Sequence, residues 1–108
     1  MIVRLKLADP NYPDLSEAHP YFVIGIEADE YRLLNDDGKP YLYPSELFDV
    51  IDSREPADWI TEFGEDGERY SYPAPLNQPG FFEDFFDHER EQTSVFWHLM
   101  NKTLSQAA

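Results

Sequence analysis

Residues 21–52 read YFVIGIEADEYRLLNDDGKPYLYPSELFDVID, and two apolar runs there are separated by Asn35-Asp36-Asp37-Gly38. That tetrapeptide constrains the fold more than any other feature. Asn and Asp side chains accept hydrogen bonds from turn amides, and Gly takes the positive φ of a tight hairpin turn. The runs on either side are then antiparallel strands. In residues 21–28, Phe22, Ile24 and Ile26 alternate with Tyr21, Val23 and Gly25, a period of two with both faces mostly apolar. Strands over 31–35 and 41–43 flank the turn, the second bounded by Pro40 and Pro44. A further short strand over 47–52 places Phe48 and Val50 on one side and Leu47, Asp49 and Ile51 on the other.

The same turn chemistry returns at Gly64-Glu65-Asp66-Gly67. A strand over 58–63, with Trp59, Thr61 and Phe63 alternating with Ile60, precedes it, and a strand over 69–72 pairs back. Gly38 and Gly67 are both expected at positive φ. At the N-terminus Val3, Leu5 and Leu7 alternate with Arg4 and Lys6, which predicts an edge strand over 1–8 with its cations in water. Pro10, Pro13 and Pro20 make 9–20 a loop, and Pro56 makes 53–57 another. Pro73, Pro75 and Pro79 predict an extended segment over 72–80.

Beyond that segment the period changes. Phe81, Phe82, Phe85 and Phe86, then Val95, Phe96, Leu99 and Met100, recur at i, i+1, i+4 and i+5. This predicts a short helix over 80–86 and a longer one over 88–103, in which Phe96, Leu99 and Met100 pack on the sheet while Glu89, Glu91 and Lys102 face water. Acids early and Lys102 late suit the helix dipole. Residues 104–108 are expected to fray. The class read from these patterns is mainly β with C-terminal α: a small bent antiparallel barrel or meander plus one or two C-terminal helices. It is expected as a single domain over 1–108, with its β part to about 72, a proline-rich connection over 73–80 and a helical part over 81–104.

The charge balance limits function. The chain has 22 acids against 8 bases, a formal net charge of −14. Such a chain repels nucleic acid and anionic lipid, so neither is expected to bind it directly. The expected partner is a basic protein, and the expected state is a monomer or weak homodimer. The chain has no cysteine, so it has neither a disulfide framework nor a thiolate metal site. The opening MIVRLKLADP is too short and too regularly charged for a signal peptide, and no apolar run has the length of a membrane span. The cytoplasm is the expected location.

Most of the excess charge is concentrated. Residues 46–91 carry 14 acids and 3 bases, a net of −11. Glu46, Asp49, Asp52, Glu55, Asp58 and Glu62 are the candidate partner-binding acids, because charge complementarity speeds encounter and rejects wrong partners. Tyr41, Tyr43 and Trp59, near them in sequence, are candidate aromatic anchors. The competing reading is a solvated surface that keeps the protein soluble, with the rings in the core. His88 has Asp84, Asp87 and Glu91 at helical spacing, but His19 and His98 are remote in sequence, so no metal site is expected. No nucleophile elbow, phosphate loop, dinucleotide fingerprint or zinc-protease helix occurs, so a non-catalytic role without cofactor is expected.

The run 31–40 (YRLLNDDGKP), then Leu42-Tyr43-Pro44 and Leu47-Phe48-Asp49-Val50, resembles small, largely uncharacterised bacterial proteins with an SH3-like barrel. Asp58-Trp59-Ile60, the turn at Glu65-Asp66-Gly67-Glu68 and residues 79–87 (PGFFEDFFD) are similar to further parts of the same pattern, so the likeness spans about 21–87. The resemblance implies an SH3-like barrel. Some acidic proteins of this kind look like immunity partners of secreted toxins, which implies inhibition by covering a basic groove such as that of a nuclease. Two other roles compete: an adaptor or regulatory module binding a peptide through its aromatics, and a nucleic-acid mimic that inhibits DNA-binding proteins.

Overall fold

A computed structural model of the chain describes residues 1–107. Among the described residues there are seven strands: β1 (Ile2–Leu5), β2 (Pro20–Glu27), β3 (Glu30–Leu34), β4 (Pro40–Pro44), β5 (Phe48–Asp52), β6 (Trp59–Phe63) and β7 (Arg69–Pro73). Two helices follow, α1 (Phe81–Phe86) and α2 (Arg90–Ala107), and single 3-10 turns occupy Ser45–Leu47 and Ala74–Leu76. The chain divides into two compact units, Met1–Pro73 and Ala74–Ala108, so all the strands lie in the first and both helices in the second. The expected class, mainly antiparallel β with C-terminal helices, is the one the chain adopts.

In the first unit β2 is the organising strand. One of its edges pairs with β3, and the other is shared by β1 near Tyr21 and β7 at Ile26 and Glu27. A register shift between Val23 and Gly25 bends β2 where its second neighbour changes. Val3, Leu5, Tyr21, Val23, Ile26, Leu33, Tyr43 and Phe48 form one buried cluster with Leu15 from the loop after β1. Their spacing follows the strand period: each alternate residue of β1, and of β2 on either side of the bulge, faces the cluster. Among the described residues the sheet does not close, and β4, β5 and β6 are each paired on one side only.

β1 is shorter than expected and is not an edge strand. It pairs with β2 on one side and with β5 on the other. Alternation in a sequence reports which side chains face inward, but the number of neighbours depends on long-range pairing, here with a strand beyond residue 47. Leu7 falls outside β1 and is exposed.

Both hairpin turns form as their chemistry demands. Gly38 and Gly67 have φ of 72° and 80°. In the first turn Asn35 Oδ1 accepts the amides of Asp37 and Lys39, each at 3.0 Å, and Gly38 N–H donates to Asn35 O at 2.9 Å. In the second, Gly67 N–H donates to Gly64 O at 3.0 Å and Glu68 Oε2 accepts the Asp66 amide at 3.0 Å.

In the second unit the aromatic period builds a small ring cluster. Phe96 is fully buried, with ring centroids 4.8 Å from Phe85 and 6.1 Å from Phe82. Met100 is buried and Leu99 partly so, while Glu89, Glu91 and Lys102 are exposed. His88, at φ 61°, separates α1 from α2, so α2 starts at Arg90, two residues later than its predicted start at 88. Two further expectations fail. Residues 72–80 are not extended throughout, because Ala74–Leu76 makes a 3-10 turn that buries Leu76. The fixed φ of proline suits that turn as well as it suits extended chain. Nor does the helix stop at 103: it runs on through Ala107, since no Gly or Pro ends it. Ala108, the last residue of the expected fraying, lies outside the described residues.

Candidate functional site

The acids singled out in the sequence lie on and around two successive edge strands, and their states differ. Glu46 is exposed in the 3-10 turn before β5, Asp49 is exposed on β5 opposite Arg4, Asp58 is exposed just before β6, and Glu62 is exposed within β6. None of these four has an ion-pair partner among the described residues. Asp52 and Glu55 are engaged. Arg54 Nη2 donates to Asp52 Oδ2 at 2.7 Å, with its Nε and backbone amide each donating to Oδ1 at 3.0 Å. The guanidinium holds the Asp52 carboxyl well below the usual carboxylate range. Glu55 forms an ion pair with Arg69 of β7. Of the six candidate acids, Glu46, Asp49, Asp58 and Glu62 therefore carry their charge to water.

Apolar side chains are exposed among these acids. Ile51 on β5 is 52% exposed and Phe63 on β6 is 70% exposed, with Val50 and Ile60 also exposed. Such residues add little to the core, and each of the two strands carries them next in sequence to unpaired carboxylates, a mixture of residue types found at protein interfaces.

The aromatic candidates separate. Tyr43 is buried, which corrects its assignment to a binding face: β4 pairs Tyr43 with Tyr31, and that side of the strand faces the core. Its hydroxyl donates to Asp14 Oδ2 at 2.6 Å and accepts from Asn35 Nδ2 at 3.0 Å. Tyr41, two residues earlier and nearer the turn, keeps part of its ring in water. Trp59 is half-buried against the core cluster.

Two polar clusters that pattern reading missed tie the loop 9–20 to the first hairpin. Asn35 Nδ2 also donates to Asp14 Oδ2 at 3.1 Å, and the Asp36 amide donates to Asp14 O at 2.9 Å. Beside them Tyr21 Oη donates to Asp36 Oδ1 at 2.6 Å, Ser16 Oγ donates to Asp36 Oδ2 at 2.5 Å, and the Ser16 amide donates to Tyr21 Oη at 2.7 Å. Burial first, then the Asp36 bond, pushes the Tyr21 phenol up to about 12. Burial and Asp14 likewise push Tyr43 up. The bonds from Ser16 and Tyr21 hold the Asp36 carboxyl down. Both phenols act as hydrogen-bond donors to carboxylates, and the clusters fasten the loop to the hairpin. His19 does not link Ser16 to Asp36. It stacks on Tyr21 at 4.9 Å, and its Nδ1 lies 2.7 Å from Pro20 O. The signal available in the sequence was two polar residues, Asp14 and Ser16, inside a proline-rich loop, which is too common to single them out.

A third cluster lies on the other side of β2. Arg32 is buried on β3 opposite Gly25 and Leu42. Its Nε donates to Tyr72 Oη at 2.7 Å, Nη1 to Pro40 O at 2.7 Å and Nη2 to Glu27 Oε2 at 2.8 Å. Tyr72 Oη in turn donates to Glu27 Oε2 at 2.5 Å. A buried guanidinium needs such a shell, and its engagement with β2, β4 and β7 fixes their register.

In the second unit His88, Arg90, Thr93, Ser94, Trp97 and His98 line an open groove along α2. His98, remote from His88 in sequence, is thus brought to the same groove. No three His, Asp or Glu side chains converge as metal ligands among the described residues, and no described helix is long and apolar enough to cross a membrane. No protein-family model matches this chain, and comparison with curated proteins and with solved structures gives no match either.

Proposed function

We propose that this chain is a non-catalytic acidic binding protein that docks on a basic partner protein through β5, the following loop and β6. The observation that carries this reading is the combination on those two edge strands: exposed carboxylates without ion-pair partners, Asp49, Asp58 and Glu62, beside exposed Val50, Ile51, Ile60 and Phe63. Carboxylates steer a cationic surface into contact, and the apolar side chains supply the area that water leaves on docking. The most concrete form of the reading is a cytoplasmic immunity protein that covers the basic groove of a toxin, acting by occlusion and needing no cofactor. The SH3-like resemblance belongs to that same proposal. An adaptor that binds peptides through Tyr41, Tyr43 and Trp59 has less support, because Tyr43 is buried.

Affinity capture from native lysate, followed by mass spectrometry, tests it. The expected result is retention of one basic protein at low salt and its release as salt rises. Retention of many DNA-binding proteins would favour the nucleic-acid mimic, and retention of none would remove the proposal.

A further inference from the structure

We propose that the free edge of β6 receives an extended segment of the partner, in which basic and apolar side chains alternate, as an added antiparallel or parallel strand. This rests on the docking reading above and names its mode.

Among the described residues three strands of the sheet have an open side, and two of them are protected. β4 is bracketed by Pro40 and Pro44. β5 carries Asp49 and Asp52, and its pairing with β1 is broken by a register shift. Prolines, charges and bulges are the devices that keep an edge from pairing. β6 has none beyond Glu62: its sequence WITEF holds no proline, and its register with β7 is continuous from Trp59↔Pro73 to Phe63↔Arg69.

The open hydrogen-bonding groups can be assigned. Gly64 N–H donates to Glu68 O at 2.8 Å, which makes Gly64 a hydrogen-bonded position facing β7. Antiparallel ladders alternate, so Glu62 and Ile60 also bond toward β7, and Thr61 and Phe63 direct their N–H and C=O to the open side. Pro73, which has no N–H, stands opposite Trp59 in the unbonded set, as this assignment requires. An added strand would find two residues of free backbone flanked by exposed Ile60 and Phe63.

Charge selects the occupant. Asp58, Glu62, Glu65 and Asp66 surround the edge and are exposed. A second copy of this chain would bring the same acids against them, and like charges across a strand pair are destabilising. Lysine or arginine in an incoming strand would meet these carboxylates instead.

The probe is a synthetic peptide of alternating lysine and isoleucine, compared with a peptide of the same composition in which the lysines and isoleucines are segregated into blocks. Binding is followed by amide NMR and hydrogen exchange on the full chain at low salt. The alternating peptide is expected to protect the Thr61 and Phe63 amides by about tenfold or more, and the block peptide is not. Thr61→Pro removes an outward N–H and leaves the backbone ladder to β7 intact, a position where an edge strand tolerates proline. It is expected to weaken the alternating peptide by about tenfold, and Phe63→Pro serves as the second such variant. Thr61→Pro also removes the Thr61 Oγ1–Ser71 Oγ bond of 2.8 Å, so Thr61→Val, which loses that bond and keeps the N–H, is the control and is expected to bind like wild type. Binding that perturbs the acids equally with both peptides, without protecting Thr61 and Phe63, would overturn strand addition and leave acidic docking standing. Failure of acidic docking would show separately, as capture of the partner unaffected by reversal of Asp49, Asp58 and Glu62. Protection of both amides in the free protein that grows with its concentration would put a second copy on the edge and overturn the proposal, as would no binding of the alternating peptide.

Discussion

The ring of Tyr72 lies on Gly25: a Cβ built on Gly25 would stand 2.2 Å from Tyr72 Cε1 and 2.8 Å from the carbonyl oxygen of Ser71. Glycine is therefore what allows β7 to approach β2, and the approach carries the Tyr72 hydroxyl to Arg32 and Glu27. Gly25→Ala is expected to destabilise the protein by about 1–3 kcal/mol, as other overpacked sites do, since a backbone oxygen as well as a ring must move. Thermal or denaturant unfolding reads this directly. An alanine variant as stable as the parent would mean that β7 does not pack on β2 at Gly25.

The two turn glycines differ from Gly25, because no atom lies within 4 Å of a Cβ built at either Gly38 or Gly67. Their requirement is conformational alone. Valine at either position is expected to cost about 1–3 kcal/mol, whereas asparagine, which tolerates the left-handed region, costs less. Equal melting temperatures for the valine and asparagine variants would remove the conformational account.

The buried phenols give a pH dependence whose sign follows from their shifts. Tyr21 is raised in the folded chain to about 12, above the ordinary tyrosine value of about 10. Its neutral form contributes stability that is fully present below pH about 10 and is lost as pH rises through about 12. Tyr43 and Tyr72 are raised as well. Near-ultraviolet titration of tyrosinate is expected to show a delayed group of phenols that ionises only as the protein unfolds. Tyr21→Phe is expected to remove one proton from the delayed group and to lower stability at neutral pH by about 1 kcal/mol. A single titration step at the free-phenol pH would contradict the Asp36 and Asp14 bonds.

The parts of the fold that depend on local chemistry were legible in the sequence. Asn35-Asp36-Asp37-Gly38 and Gly64-Glu65-Asp66-Gly67 declared both hairpins, and the spacing of Phe82, Phe85 and Phe96 declared the helices. What depended on distant partners was not legible. Nothing near Val3 shows that β5 returns to cover the second edge of β1. Nothing near Asp52 or Glu55 shows which arginine each will meet. Tyr43 illustrates the same point for the site: it stands three residues before exposed Glu46, but its pairing with Tyr31 turns it into the core. Gly25 carries no local sign of its role in an apolar strand, since only the chain 47 residues on reveals the ring that needs the space.

The central claim is that unpaired acids on and beside β5 and β6 bring in a basic partner. Its most direct test is the association rate of the captured partner with wild type, with Asp49→Lys/Asp58→Lys/Glu62→Lys, and with the control Glu17→Lys/Glu30→Lys, measured across a range of salt. These three acids are chosen because Asp52 and Glu55 already face arginines. The triple reversal is expected to slow association by about tenfold or more at low salt and to leave folding intact, with the wild-type rate falling as salt rises and the control close to wild type. Equal association rates for all three proteins, unchanged by salt, would contradict the account.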